Sequence, residues 1–299
     1  MSRPQTSWLV SEGESLVALL GRLNQSDALV AGRVFVNGRR ADADVSLEVG
    51  ARVDVYAARG DAAAVSILAQ HRGLVFAEKP VGLATEPERR GSEHTLLHRV
   101  AALLSVEPAR VNALTRLDVG VSGVVLLALD AEARQRVQAL RAAGAFERRY
   151  VALASAAPVP DAGSWNEAIG RGSRGPRRAL DRNGEPAETR YLIAGKSASG
   201  EAVLAFRPLT GRTHQLRVHA SAHGAPLLGD ATYGASKRLV LGGGRVLALP
   251  RIYLHAAWMA LGDALRVEAP LPEEFGSTWS ALDGESAALE RAVVDPLTL

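Results

Sequence analysis

Cysteine is absent from the 299 residues, which removes disulfides, thiolate nucleophiles and cysteine-based zinc sites together. Lysine is nearly absent too. Of 35 basic residues only Lys79, Lys196 and Lys237 are lysines, a bias that fits an arginine-, alanine- and glycine-rich genome better than a function. Apolar runs are short. The longest, from Val124 to Leu129, falls far below the roughly 20 residues that span a bilayer. The opening MSRPQTSWLV lacks the apolar run of a signal peptide. A soluble, cytoplasmic protein is expected. Against these absences stands an ordinary globular balance of 47% hydrophobic and 22% charged residues, which argues against extensive disorder. The length suits a main domain with a small appended one. A formal net charge of +3 permits a nucleic-acid partner without demanding one.

Residues 8–57 read as a small unit of their own. Ser11 and Glu14 fit a capping box, and Leu16, Leu19, Leu20 and Leu23 recur at helical spacing. A second short helix is expected from Ser26. VFVNGRRA alternates into Asn37-Gly38, the pair that favours a type I′ hairpin, and RVDVY alternates again as a strand. Small and polar residues place a linker at 58–64. From residue 65 onward GLVFAEKP, VVLLALD, RYVALA, TRYLIA and AVLAFRP read as strands. Asp130 caps a helix carrying Ala133, Val137 and Leu140 that Gly144 ends, and Thr213 caps another that Gly224 ends. Strands without a regular βαβ rhythm predict an α+β domain over 65–275, on a mixed, largely antiparallel sheet. The run Gly242 to Gly244 reads as a loop tip, and 276–299 as a partly helical tail.

Charge is unevenly spread. No carboxylate occurs from Ala202 to Gly229, while Arg207, Arg212, Arg217, His214, His219 and His223 all fall there. A second basic segment holds Arg171, Arg174, Arg177, Arg178 and Arg182. Such strips are either solvated loops or holders of phosphates. From Met1 to Gly60 seven arginines face seven acids, and that net of zero is a poor electrostatic footprint for RNA.

Three segments stand out: LTRLDVGVSGVVLLA (114–128), FERRYVAL (146–153) and TGRTHQLRVHASAHGAPLLGDATYG (210–234). Taken singly they say little. Asp118 could be a turn or cap residue, Tyr150 a half-buried strand residue, and Arg217 a surface cation one turn into its helix. Taken together, Arg-Leu-Asp before a Ser-Gly that opens an apolar strand, a basic-x-Tyr strand, and GRTHQLRVH followed by GD..YG resemble the RluA-type RNA pseudouridine synthases. EKPVGL, GEPAETRY and YLHAAWMAL are similar to flanking motifs of that family, so the resemblance runs over about 70–272. The small unit is similar to the αα-hairpin RNA-binding module often fused to these synthases.

The resemblance implies the pseudouridine synthase fold and the isomerisation of specific uridines, in ribosomal or transfer RNA, to pseudouridine, with no cofactor and no metal. It implies a monomer that acts on RNA and not at a membrane. By the same resemblance Asp118 is the reacting carboxylate and Arg217 pairs with it. Tyr150 stacks on the target base and helps to move a proton. Arg116 fills the gap left by the flipped uridine, and Arg212, His214, Gln215 and His219 contact RNA. Three positions depart from the family pattern. Thr115 stands for a histidine before Arg-Leu-Asp, Val119-Gly120-Val121 for Lys-Asp-Thr after it, and Arg148 for a lysine. An active enzyme with altered substrate choice is expected.

Other classes make distinct demands. A zinc site could use His214, His219 and His223 on one helix, but Gln215 and Arg217 are poor neighbours for a cation. A hydrolytic pair of Asp118 and Asp130 would be held apart by a strand at roughly 3.3 Å per residue. A non-catalytic RNA-binding protein that kept the scaffold would bind RNA and convert no uridine.

Overall fold

The computed structural model describes residues 6–23, 25–30, 32, 34–41, 43–55, 64–87, 94–172, 177–241 and 245–294. Residues 58–63 of the expected linker, Arg174 and the run Gly242 to Gly244 lie outside them. The chain divides into two compact units, Met1–Ala63 and Ala64–Leu299.

In the first unit Val34–Val36 and Arg39–Arg40 form the expected hairpin, with Asn37 at φ 48° and Gly38 at φ 78°, the two positive values that a type I′ turn requires. The strand Arg52–Val55 pairs on one side with Val34–Val36 and on the other with Thr6–Leu9, which pattern alone did not pick out. The helix Leu16–Arg22 starts about one turn later than its capping box predicts: Ser15, not Ser11, is the N-cap and accepts the Ala18 amide at 3.1 Å. Glu14 instead sits in a two-residue strand and pairs with Arg22 at 2.5 Å. Leu16, Leu20, Val34, Val53 and Val55 are fully buried together, so the helical and two-residue periodicities meet in one core.

The second unit is built on a mixed sheet. Ala162–Trp165, Thr189–Lys196, Ala202–Pro208, Phe146–Ala154, Leu254–Leu261, Ser122–Ala128, Leu74–Lys79 and Ser66–His71 lie side by side in that order. Every neighbouring pair is antiparallel except Ser122–Ala128 against Leu254–Leu261. The central strands are apolar on both faces, as strands covered from both sides must be. Val75, Ala77, Val125, Leu127, Ala152, Ala154, Leu204 and Phe206 look to one face, under the helices Leu96–Leu104 and Gln215–Ala222. Phe76, Val124, Leu126, Val151, Leu153 and Val203 look to the other.

That second face is closed partly by the helix Ala131–Ala142, capped as expected by Asp130 (2.7 Å to the Ala133 amide). Elsewhere it is closed mostly by residues that pattern reading placed in a tail from 276 onward. The helices Glu273–Ala281 and Ala287–Val294 bury Phe275, Trp279, Ala288 and Ala292 completely or nearly so. The indole N–H of Trp258, on the sheet, donates to the Val293 carbonyl at 2.9 Å. The expected boundary at 275 therefore has no counterpart in the packing, because these helices supply one wall of the core.

Candidate active site

Asp118 lies in the loop between the short strand Asn112–Ala113 and Ser122–Ala128. Neighbours brace the loop around it. The Leu117 amide donates to Thr85 Oγ1 at 3.1 Å while that hydroxyl donates to the Leu117 carbonyl at 2.9 Å. Thr115 Oγ1 accepts the Leu126 amide at 2.9 Å, so the threonine standing for a histidine ties the loop to its strand. The turn Asp118–Val121 closes by a 2.9 Å backbone bond, and the Gly82 amide donates to the Val119 carbonyl at 2.7 Å. Beyond the turn, Gly123 sits at φ +118°, and a Cβ there would lie 2.2 Å from the Ala256 carbonyl oxygen. Only glycine lets the parallel strands close at this point. The Asp118 side chain remains 27% exposed, directed to a groove of about 1440 Å³.

Arg217 reaches Asp118 from the helix Gln215–Ala222, with Nη1 donating to Oδ2 at 2.7 Å. It is no surface cation, being 5% exposed. On its other edge Asp230, itself 1% exposed, accepts from Nε at 2.6 Å and Nη2 at 2.8 Å. The Tyr233 ring covers the guanidinium at 4.8 Å, and its hydroxyl is 2.7 Å from His214 Nδ1. Burial alone would lower the pKa of Arg217, but hydrogen bonds and charge from Asp230 and Asp118 outweigh it and raise that pKa. Asp230 follows Gly229 (φ +76°), where a Cβ would strike the Arg251 carbonyl, and that close approach seats the carboxylate beneath the helix.

Tyr150 lines the same groove. Pleat alternation sends it to the face of Ala152 and Ala154, and at 6% exposure it is buried where pattern suggested half-buried. Burial raises the pKa of its phenol, with Asp118 adding to the effect and Arg148 opposing it. Arg148 Nη2 donates to the Pro208 and Thr210 carbonyls at 3.2 and 2.8 Å, which holds the neighbouring loop rather than a ligand.

Of the residues read from sequence, Asp118, Arg217, Tyr150, Arg116, Arg212, His214 and Gln215 line this groove. Arg116 stands at its exposed edge, 3.3 Å from Glu86. Arg212 donates through Nε to the Pro186 carbonyl at 2.9 Å and pairs with Glu185 at 3.0 Å. His214 Nε2 is 3.7 Å from Asp118 Oδ2, and burial lowers the imidazole pKa against the pull of Asp118. Its φ of 59° puts it, not Thr213, at the N-cap, and no side chain caps the helix.

Two expected RNA contacts sit otherwise. Gln215, 4% exposed, spends its amide inside the protein: Oε1 accepts from Thr210 Oγ1 (2.7 Å) and the Arg212 amide (3.0 Å), and Nε2 donates to the Glu188 carbonyl (2.8 Å). His219 is fully buried between Thr189 Oγ1 and the Glu167 carbonyl, each at 3.0 Å, so it cannot meet RNA directly. His223 pairs with Glu167 at 3.0 Å. Among the described residues no three His, Cys, Asp or Glu side chains group as a metal site would require.

Behind the Asp118 loop lies a second buried set, mostly from motifs quoted in the sequence to which no role was given. Lys79, fully buried, donates to the Pro80 and Leu83 carbonyls at 2.9 and 2.7 Å. Burial pulls its pKa down to about 7, against the charge of Asp118. Ser122 Oγ meets His255 Nδ1 at 2.8 Å and also accepts from Arg251.

The sequence pattern of the RNA pseudouridylate synthases matches residues 73–222, from just before the strand Leu74–Lys79 to the end of the Arg217 helix. The chain belongs to that family. An uncharacterized RNA pseudouridine synthase of Mycobacterium bovis is 32% identical over 295 residues, covering 90% of this chain and 93% of the relative. Ribosomal large subunit pseudouridine synthase D of Nitrosomonas europaea is 32% identical over 75% of this chain and 67% of its own. Among solved structures, human RNA pseudouridylate synthase domain containing 4 superposes with a TM-score of 0.59 at 27% identity, over 74% of this chain and 94% of that one. This synthase is an isomerase of uridine in RNA. No helix among its described residues is long and apolar enough to cross a membrane.

Proposed function

We propose that the synthase uses Asp118 as the reacting carboxylate on a uridine flipped out of ribosomal or transfer RNA. The observation that carries this reading is the 2.7 Å pair between Arg217 and Asp118 on the groove that Tyr150 also lines. In the reaction the bond from N1 to C1′ breaks, the base turns, and a bond from C5 to C1′ forms; C5 loses a proton and N1 gains one. A carboxylate held by one guanidinium N–H keeps its other oxygen for the nucleotide. Tyr150, kept a neutral phenol by burial, offers a ring for stacking and an O–H that can pass a proton on. Arg116, exposed at the groove edge, fills the place the flipped base vacates. The ribosomal large subunit named for one relative makes ribosomal RNA the first substrate to test. The enzyme acts as a cytoplasmic monomer.

Incubation with bulk uridine-labelled RNA, followed by nucleoside chromatography, should yield pseudouridine for the wild type and none for Asp118→Asn. Turnover surviving in Asp118→Asn would remove Asp118 from the chemistry. Mapping pseudouridines across all RNA in cells with and without the gene should show one or a few lost positions, and these name the substrate.

A further inference from the structure

We infer that the hairpin formed by Arg238–Val240 and Val246–Ala248 is a phosphate-holding arm for the RNA that flanks the target uridine, with Lys237, Arg238 and Arg245 as its contacts. The inference needs RNA as the substrate and does not depend on which group reacts.

Charge supplies the reason. From Ala231 to Gly262 the chain carries no carboxylate, and its cations there are Lys237, Arg238, Arg245 and Arg251. Arg251 is buried, while the other three are exposed. Elsewhere on the second unit Arg136, Lys196, Arg266 and Arg291 each meet a carboxylate at 2.6–3.0 Å. Lys237, Arg238 and Arg245 form no ion pair among the described residues. Like charges gathered without counter-ions repel one another and work against the compact state. An anion from outside the chain relieves that repulsion. The first unit, with seven arginines against seven acids up to Gly60, adds little to the salt-dependent part of RNA affinity. Cations of the second unit must therefore supply it.

The fold holds the arm firm beside the groove. Leu239 and Leu247 face each other across the hairpin and pack on the core that Phe275 and Trp279 complete. That leaves Arg238, Val240, Val246 and Ala248 on the outer face. Backbone bonds close both ends, from the Leu249 amide to the Lys237 carbonyl and from the Leu241 amide to the Arg245 carbonyl, each at 2.8 Å. Thr232, before the hairpin, and Ile252, after it, both line the groove. Ala248 stands four residues from Ile252, a reach of at most about 14 Å. Val240 and Val246, 75% and 56% exposed, add an apolar pair that a ribose can cover. RNA seated in the groove thus has an ordered cationic ribbon next to it.

The test measures binding of the full chain to ribosomal RNA freed of its proteins, across a salt series from about 50 to 200 mM. Lys237→Gln, Arg238→Gln and Arg245→Gln are combined in one variant. Each phosphate contact contributes about 0.7–0.9 to the slope of log affinity against log salt, so the slope should fall by about 2 or more. The melting temperature should hold, because the side chains changed are exposed and unpaired. A control variant removes the same charge at Arg72, Arg110 and Arg134, which are exposed and do not line the groove. Its slope should stay within about 0.5 of wild type, since a change in net charge alone makes no contact. Exchange of charge for charge, Lys237→Arg with Arg238→Lys and Arg245→Lys, should restore the slope, which a merely structural hairpin would not require. Should the triple glutamine variant fail to fold, the three single changes replace it, each expected to lower the slope by about 0.7–0.9. A fall of less than about 1 in the triple variant, unchanged slopes in all the single ones, or an equal fall in the control overturns the inference. Pseudouridine formation by Asp118→Asn is a separate readout: turnover there removes the reading of Asp118 and leaves the arm untouched.

Discussion

At Tyr150 two features of one side chain can be separated. The ring is set by pleat alternation, and the hydroxyl by its closeness to Arg148 and Asp118. Tyr150→Phe keeps the ring and the packing, so RNA affinity is expected to hold within about twofold. Turnover should drop by about 10²–10⁴, the usual span for a lost proton-transfer group. A single-turnover rate equal to wild type would leave the ring as the whole contribution. At this scale the sequence was legible where motifs named residues, and opaque where burial decided their use. Asp118, Arg217 and Tyr150 were readable from their motifs. His219 and Gln215 belong to the same run, yet the helix turns them inward onto Thr189 and Glu188. Asp230 stood in plain view within GD..YG, but a pairing across 13 positions leaves no periodic trace.

Among elements, the two most telling positions lie on opposite sides of the sheet. Gly123→Ala would drive a methyl group into the Ala256 carbonyl at the single parallel pairing of the sheet's main path. We expect a loss of 2 kcal/mol or more, read from urea midpoints; an unchanged midpoint would mean that the strands close without that contact. Trp279→Ala should cost about 3–5 kcal/mol, as for other fully buried indoles. Removal of both C-terminal helices should leave aggregated protein, whereas a soluble, active fragment ending near residue 272 would restore the reading of that segment as a tail. Strands and long helices were legible because two-residue and 3.6-residue periods are local. Of the two C-terminal helices only the second was visible as a helix, and neither as core, since the face they cover is contributed by strands reaching back to Val151, as the Trp258 and Ala194 contacts, 35 and 97 positions apart, illustrate. The cap of the Arg217 helix was misassigned for a related reason: a hydroxyl is the usual N-cap, but a left-handed His214 takes the position and directs its ring to Tyr233.

Over the whole molecule, acid should weaken the fold through buried imidazoles. His255 is fully enclosed, and burial lowers its pKa to about 4 from 6.5 in an open chain. The unfolded chain then binds the proton that the folded one refuses, so stability falls as pH drops from about 6.5 to about 4, by roughly 3 kcal/mol if this histidine acts alone. Urea midpoints at pH 7 and 4.5 should differ less for His255→Asn than for wild type; equal differences would shift the acid sensitivity to other groups. The large unit also has an order of completion. The helices spanning 273–294 follow in the chain every strand they cover, so during translation the part of the sheet's back beneath them stays bare until they leave the ribosome. The groove residues, all emitted by position 254, must wait for that apolar cover, which makes emergence of the C-terminal helices the event that switches a nascent chain from chaperone client to enzyme.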